Sequence, residues 1–163
     1  MGRMFSARFE AVTIANSGGA QDIFSLGSPT SGLGRLHAIY LGQTSDVGDS
    51  AEIMEELRIV TGNTTVGSGG SAPTAIPMQL GDTPTVTVRA NDTTEVSSGS
   101  QVIKHSDVWN VRVPYVYLPT PELRIDFGEL AAGTTTFLAL QLPNVPASAI
   151  TCTGTIYWEE LLG

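Results

Sequence analysis

The chain has 163 residues, 8 Lys plus Arg against 16 Asp plus Glu, and a net charge of −8. That is enough length for one domain with a core of its own, and its excess of acid disfavours unaided binding to nucleic acid or an anionic membrane, which depends on cationic groups displacing counterions. Hydrophobic residues make up 41% and charged residues only 15%, which excludes the low-hydrophobicity, high-charge signature of disorder and fits a surface partly covered by neighbouring chains.

Eighteen glycines and nine prolines are spread along the chain, and 19 threonines favour a pleated surface over a helix. Strands are expected at about 4–15, 20–27, 34–43, 54–61, 84–90, 94–104, 107–118, 122–127, 134–142 and 149–160. Asn16-Ser17-Gly18-Gly19 reads as the turn between the first two. For residues 49–57 two readings stay open. One is a short helix capped by Asp49 or Ser50 with Ile53, Met54 and Leu57 on one face; the other is a strand turning Leu57 and Ile59 inward. Between Gly62 and Pro77 lies a Gly/Ser-rich stretch without strand-like alternation, and loops of that length in a compact domain are functional or mobile. Val86 and Val88 alternate with Thr85, Thr87 and Arg89, and Cys152, Gly154 and Ile156 with Thr151, Thr153 and Thr155, a half-buried pattern of period two. The expected fold is therefore all-β: one domain over 1–163, a two-sheet sandwich of jelly-roll type with one long Gly/Ser-rich loop.

Chemistry-bearing motifs are sparse. Gly67-Ser68-Gly69-Gly70-Ser71 lacks the Gly-Lys-Ser/Thr of a phosphate-binding loop. His105 and Asp107 share a side of a regular strand, but no Gly-x-Ser-x-Gly elbow stands beside them or His37. Asp46, Asp49 and Glu52 form an acidic cluster near Gly48 that raises the question of calcium; three ligands at a spacing unlike an EF-hand read better as a turn. The single cysteine, Cys152, excludes an internal disulfide and reads as a small core residue. Glu159 and Glu160 are adjacent on a strand and should point to opposite faces. Asn63-Thr64-Thr65 and Asn91-Asp92-Thr93 match the glycosylation pattern and are read as loops. Trp109, Tyr115, Tyr117, Tyr157 and Trp158 are read as core, with a sugar-stacking platform as the rival use. No catalytic residue, cofactor or metal site is selected.

Leu41-Gly42-Gln43-Thr44-Ser45-Asp46-Val47-Gly48-Asp49, the run from Thr61 to Thr74, Ala90-Asn91-Asp92-Thr93-Thr94 and the ending Gly154-Thr155-Ile156-Tyr157-Trp158-Glu159-Glu160-Leu161 resemble small virion-associated proteins encoded among the head genes of tailed bacteriophages. Some of these look like capsid decoration or cement proteins. The resemblance covers the chain from about residue 34 onward and consists of turn-and-strand patterns with no catalytic signature. It implies a structural protein, not an enzyme, that sits on the outer surface of the virion capsid and binds the major capsid protein and its own copies, a trimer being favoured. In that setting the Gly62–Pro77 segment is expected to order against a neighbour, with Thr64, Thr65, Ser68, Ser71, Pro73 and Pro77 as contact residues, the aromatic and apolar C-terminal strand being the alternative docking element. Two other classes remain: a head-fibre or tail accessory module that recognises host glycans, and a carbohydrate-active β-sandwich enzyme.

Overall fold

A computed structural model of the chain describes residues 2–45, 54–129 and 133–161. Its strands are β1 (Arg3–Ile14), β2 (Gln21–Gly27), β3 (Leu33–Gln43), β4 (Met54–Thr65), β5 (Ile76–Pro77), β6 (Val88–Asp92), β7 (Ser97–Asn110), β8 (Tyr115–Tyr117), β9 (Asp126–Phe127), β10 (Phe137–Leu142) and β11 (Ile150–Leu161). One sheet runs β5-β1-β11-β3-β8, with β9 also on β3; the other runs β6-β2-β10-β4-β7, and all pairings are antiparallel. Setting aside the short β5, β6 and β9, the order β1-β11-β3-β8 faces β2-β10-β4-β7, which is the double Greek key of a jelly roll.

Burial follows the alternation in the sequence. Cys152, Gly154, Ile156, Trp158 and Glu160 of β11 point inward while Thr151, Thr153, Thr155 and Tyr157 point out. Burial pushes the Cys152 thiol up to about 12, so it stays protonated and packs as a small apolar group. Phe9 of β1 meets Phe24 of the opposite sheet with ring centroids 5.0 Å apart, and Gly154 makes that possible. A Cβ there would lie 2.9 Å from the Phe9 ring and 3.1 Å from that of Phe24.

Several sequence expectations change. Residues 94–118 do not form two strands with a break near 105. β7 is one strand of 14 residues, because β4, at 12 residues, offers a partner along nearly its whole length, and two register shifts absorb the mismatch in place of a turn. Gly62 and Gly99, both at positive φ, sit together at one of those shifts. The real turn comes later, at 110–113, where Val113 N–H donates to the Asn110 carbonyl and the Trp109 indole N–H to the Val113 carbonyl. Residues 54–57 belong to β4, so the strand reading holds for them; 49–53 lie outside the described residues, as do Asp46, Asp49 and Glu52 of the acidic cluster. The strand expected at 122–127 is a 3-10 turn at Pro121–Leu123 followed by the two residues of β9. Neither glycosylation pattern lies in a loop: Asn63 is buried in β4, donating to the Ser98 carbonyl and accepting from Gln101, and Asn91 is in β6.

The segment expected to be a free loop is tied down within the chain. Thr64 and Thr65 finish β4, with Thr65 opposite Ser97. Ser68 and Ser71 exchange backbone hydrogen bonds with Thr94 and Ala90, at 3.0 and 2.9 Å, and Gly70 N–H donates to Asp92. Pro77 of β5 lies opposite Phe5 of β1. Residues 66–87 therefore act as a strap from the β6 edge of one sheet to the β1 edge of the other. Its far end is clamped by the buried Glu160 carboxylate, which accepts from Thr85 N–H, Thr85 Oγ1, Val86 N–H and the Trp158 indole. The chain's own residues hold this segment, where its composition had suggested a mobile loop.

Under the strap lie two buried acids. Asp92 is held by a bidentate Arg89 at 2.6 and 2.8 Å, whereas Asp22 accepts only Val96 N–H and leaves Oδ1 unpartnered. Desolvation, followed by the nearby Glu95 and Asp92 charges, drives the Asp22 pKa up to about 7 against the opposing Val96 hydrogen bond and the nearby Gln141 side chain.

Two outcomes follow from this wiring. Glu160→Ala strands four donors and should cost about 3 kcal/mol in a denaturant melt, whereas exposed Glu10→Ala should change stability by less than about 0.5 kcal/mol. The folded Asp22 holds its proton to about pH 7 while the unfolded one releases it near 4, so stability should fall as pH rises through that window. Asp22→Asn should flatten the slope and raise the melting temperature at pH 8.

Candidate interaction surface

The strap closes one flank of the sandwich, and the other flank is open. There β7 ends one sheet and the three-residue β8 ends the other, so residues 97–108 of β7 have little opposite them. Except for half-buried His105, every residue from Ser97 to Val108 is exposed, on both faces of the strand. Among the described residues only β4 pairs with β7, so the other edge of β7 belongs to no ladder, and Val108 N–H donates to the Asp107 carboxylate instead of to a strand.

This flank is apolar. More than half of the exposed large hydrophobic residues described lie on it, among them Val102, Ile103, Val108, Val116, Leu118 and Leu123. Val108, Val116, Leu118 and Leu123 are linked, because two grooves run into each other at Asp107 and Val116. One, of about 330 Å³, is lined by Lys104, His105, Asp107, Tyr117, Leu118 and Leu123. The second, of about 420 Å³, is lined by Met54, Val108, Trp109 and Val113. Patches of this kind on a folded domain mark sites of contact.

Titratable groups on the flank are few. His105 Nε2 is 3.9 Å from Asp107 Oδ2, and its ring lies 5.0 Å from that of Tyr117. Burial raises the Tyr115 and Tyr117 phenols above their ordinary value; Tyr117 donates to the Leu123 carbonyl, whereas the buried Tyr115 hydroxyl has no partner among the described residues. His37, on the other sheet, contacts Glu159 at 3.0 Å. Glu159 and Glu160 do point to opposite faces, the first half-exposed and the second buried. Among the described residues no three His, Cys, Asp or Glu side chains are grouped so as to hold a metal ion. Trp109, Tyr115, Tyr117 and Trp158 are core residues and Tyr157 is half-buried against Tyr40.

The six residues expected to meet a neighbour are not gathered into one patch. Thr65, Ser68 and Ser71 keep exposed side chains near the β4 and β6 ends of the strap, Thr64 and Pro73 are half-buried, and Pro77 sits on the β1 edge. Sequence reading missed β7 as a surface. The signal was Val102-Ile103-Lys104-His105-Ser106-Asp107-Val108, which has apolar residues on both faces and no Gly, Pro or Asn to break it.

No protein-family model matches the chain, and no curated protein matches it. Two solved structures of infectious bursal disease virus align with 98% of the chain. The Gx strain structure is 14% identical over 40% of its own chain, and a mutant VP2 protein in T=1 particles is 13% identical over 38%. Both have a TM-score of 0.11, which establishes no common fold, and the chain spans about two fifths of their length.

If the flank is surface and not core, Val108→Thr should leave stability within about 0.5 kcal/mol of the parent, while Trp109→Ala, one residue on, should cost about 3–5 kcal/mol by chemical denaturation.

Proposed function

We propose that this protein is a structural component of a phage virion that decorates and cements the capsid from outside, binding the major capsid protein and its own copies. The observation that carries the reading is the open flank: a compact jelly roll, closed by a clamped strap on one side, presents an apolar surface and a free strand edge on the other. Such a surface is suited to contact with a large partner. About 800 Å² per partner suffices for specific binding, and many modest contacts repeated over a shell add up to a strong restraint. The net charge of −8 favours the outside of a capsid over its DNA-facing interior. The resemblance of the turn-and-strand motifs to head-gene proteins points the same way. The aromatic residues that a glycan-binding module would use for stacking are largely spent in the core, which leaves that reading without its platform.

The test is addition of purified protein to expanded, undecorated phage heads. Saturable uptake at fixed stoichiometry, with a rise in the melting temperature of the heads, is the expected result. Val108→Glu with Leu118→Glu should weaken uptake more than about tenfold, whereas removal of residues 66–72 tests the strap as the docking element instead. Absence of uptake, or retention on host polysaccharide and not on heads, would overturn the proposal.

A further inference from the structure

We propose that the free edge of β7 is a self-pairing edge: two copies join β7 to β7, antiparallel, about a twofold axis at Ser106. The two five-stranded sheets then become one continuous sheet. This deepens the own-copies half of the reading above and is independent of the capsid half.

The argument rests on the strand's self-complementarity. An antiparallel twofold places residues on the same face opposite one another, so a strand pairs well with itself only if its residues match across the axis. Asp107 and His105 lie opposite Leu57 and Ile59 and share their core-side face. Val108 and Ile103 lie opposite Glu56 and Val60, on the outer face. These last two are an odd number of residues apart, and the register shift that leaves Lys104 without a counterpart in β4 is what puts them on one face. With Ser106 facing Ser106 across the axis and the bulge at Lys104 kept in the new pairing, Asp107 of each copy falls opposite His105 and Lys104 of the other, and Val108 opposite Ile103. Every contact occurs twice. Acid meets base, and two half-exposed aliphatic side chains cover each other, at 53% and 60% exposure in the lone chain.

Proline, bulges and uncompensated charge can each protect an edge strand; β7 has register shifts, which a symmetric pairing must carry in both copies, but neither proline nor uncompensated charge. Its sequence contains no proline, and its lysine is answered by an aspartate three residues on. A foreign strand would require only one-sided complementarity, so the match of β7 to its own reverse argues for a second copy as the occupant. The copies repel through their net charge of −8, but over distances that salt screens beyond about 8 Å, whereas the Asp107 contacts are local.

Sedimentation of the full chain should show a reversible monomer–dimer equilibrium. Lys104→Asp and Asp107→Lys should each weaken it at least about tenfold, by setting like charges opposite one another, and the two together should restore it. Both positions are exposed, so unchanged circular dichroism is expected throughout. Independently, Ser106→Cys should give a disulfide-linked dimer under mild oxidation. Cys152 is buried and does not compete, and Ser17→Cys, in an exposed turn, serves as the control. A chain that stays monomeric, a trimer indifferent to both charge changes, failure of the double exchange to restore pairing, or Ser106→Cys cross-linking no faster than the control would each overturn the proposal. A dimer that does not add to phage heads would leave self-pairing standing and remove the capsid reading; uptake by heads of a chain that never dimerises would do the reverse.

Discussion

The edge of a β-sheet carries backbone donors and acceptors that nothing inside the sheet can satisfy, and a two-layer sandwich has such edges on both flanks. In this molecule the two flanks are treated differently. On one, residues 66–87 cross from sheet to sheet, with backbone pairs at Ser68 and Ser71 at one end and the Glu160 carboxylate gathering Thr85 and Val86 at the other. Glu160 is buried, so its oxygens must find donors inside the protein, and the strap's path depends on Glu160. On the opposite flank β7 is left with one edge unpaired and both faces exposed. Closure on one side and openness on the other is a physical difference within one fold, and the functional reading follows from it.

The strap also carries a tension. Asp92 is neutralised by Arg89, but Asp22 is buried beside it with one oxygen unpartnered, and Glu95 adds a further negative charge nearby. Removing Asp22 from water opposes its ionisation more strongly than the Val96 hydrogen bond and the nearby Gln141 side chain favour it. The Gly/Ser-rich residues at 67–71 fit here because the approach is close. A Cβ on Gly67 would come within 2.9 Å of Asp92 and 3.1 Å of Asp22, and one on Gly70 within 2.2 Å of the Ala90 carbonyl. These glycines permit tight contact with the chain's own acids, where composition alone had suggested mobility.

Where burial alternates along a strand, the sequence carried the fold plainly. Val88, the inward row of β11 and the turn at Asn16–Gly19 lie where their patterns place them; Val86 is buried as its alternation requires, but the strand expected at 84–90 begins only at Val88, residues 84–87 belonging to the strap. Features set by pairing partners were not legible. Whether residues 105–106 form a turn depends on whether β4 extends far enough to hold them, and β4 lies some forty residues away in the chain. The same holds for Thr64 and Thr65, which look like loop until Ser97 pairs with Thr65. Asn63 looks like an exposed acceptor until Ser98 and Gln101 are seen to enclose it. The open flank escaped notice for a related reason. Hydrophobic residues on both faces of a strand read as burial on both faces, and only the three-residue length of β8 shows that one face has no cover.

The sparse charge then takes on a more specific meaning. Arg3, Arg8, Arg35, Arg58 and Arg89 each lie within 4.0 Å of a carboxylate of the same chain, and the Arg35–Asp126 and Arg89–Asp92 pairs are bidentate. Lys104 forms no such pair among the described residues, although it stands on the flank richest in exposed aliphatic side chains. A lone lysine on an open strand ordinarily discourages pairing, because a second copy would bring lysine against lysine. That protection fails when the strand also carries an acid placed symmetrically about its centre. Asp107 occupies that place in β7, so in the pairing proposed above the group that would keep copies apart is the one that would set their register.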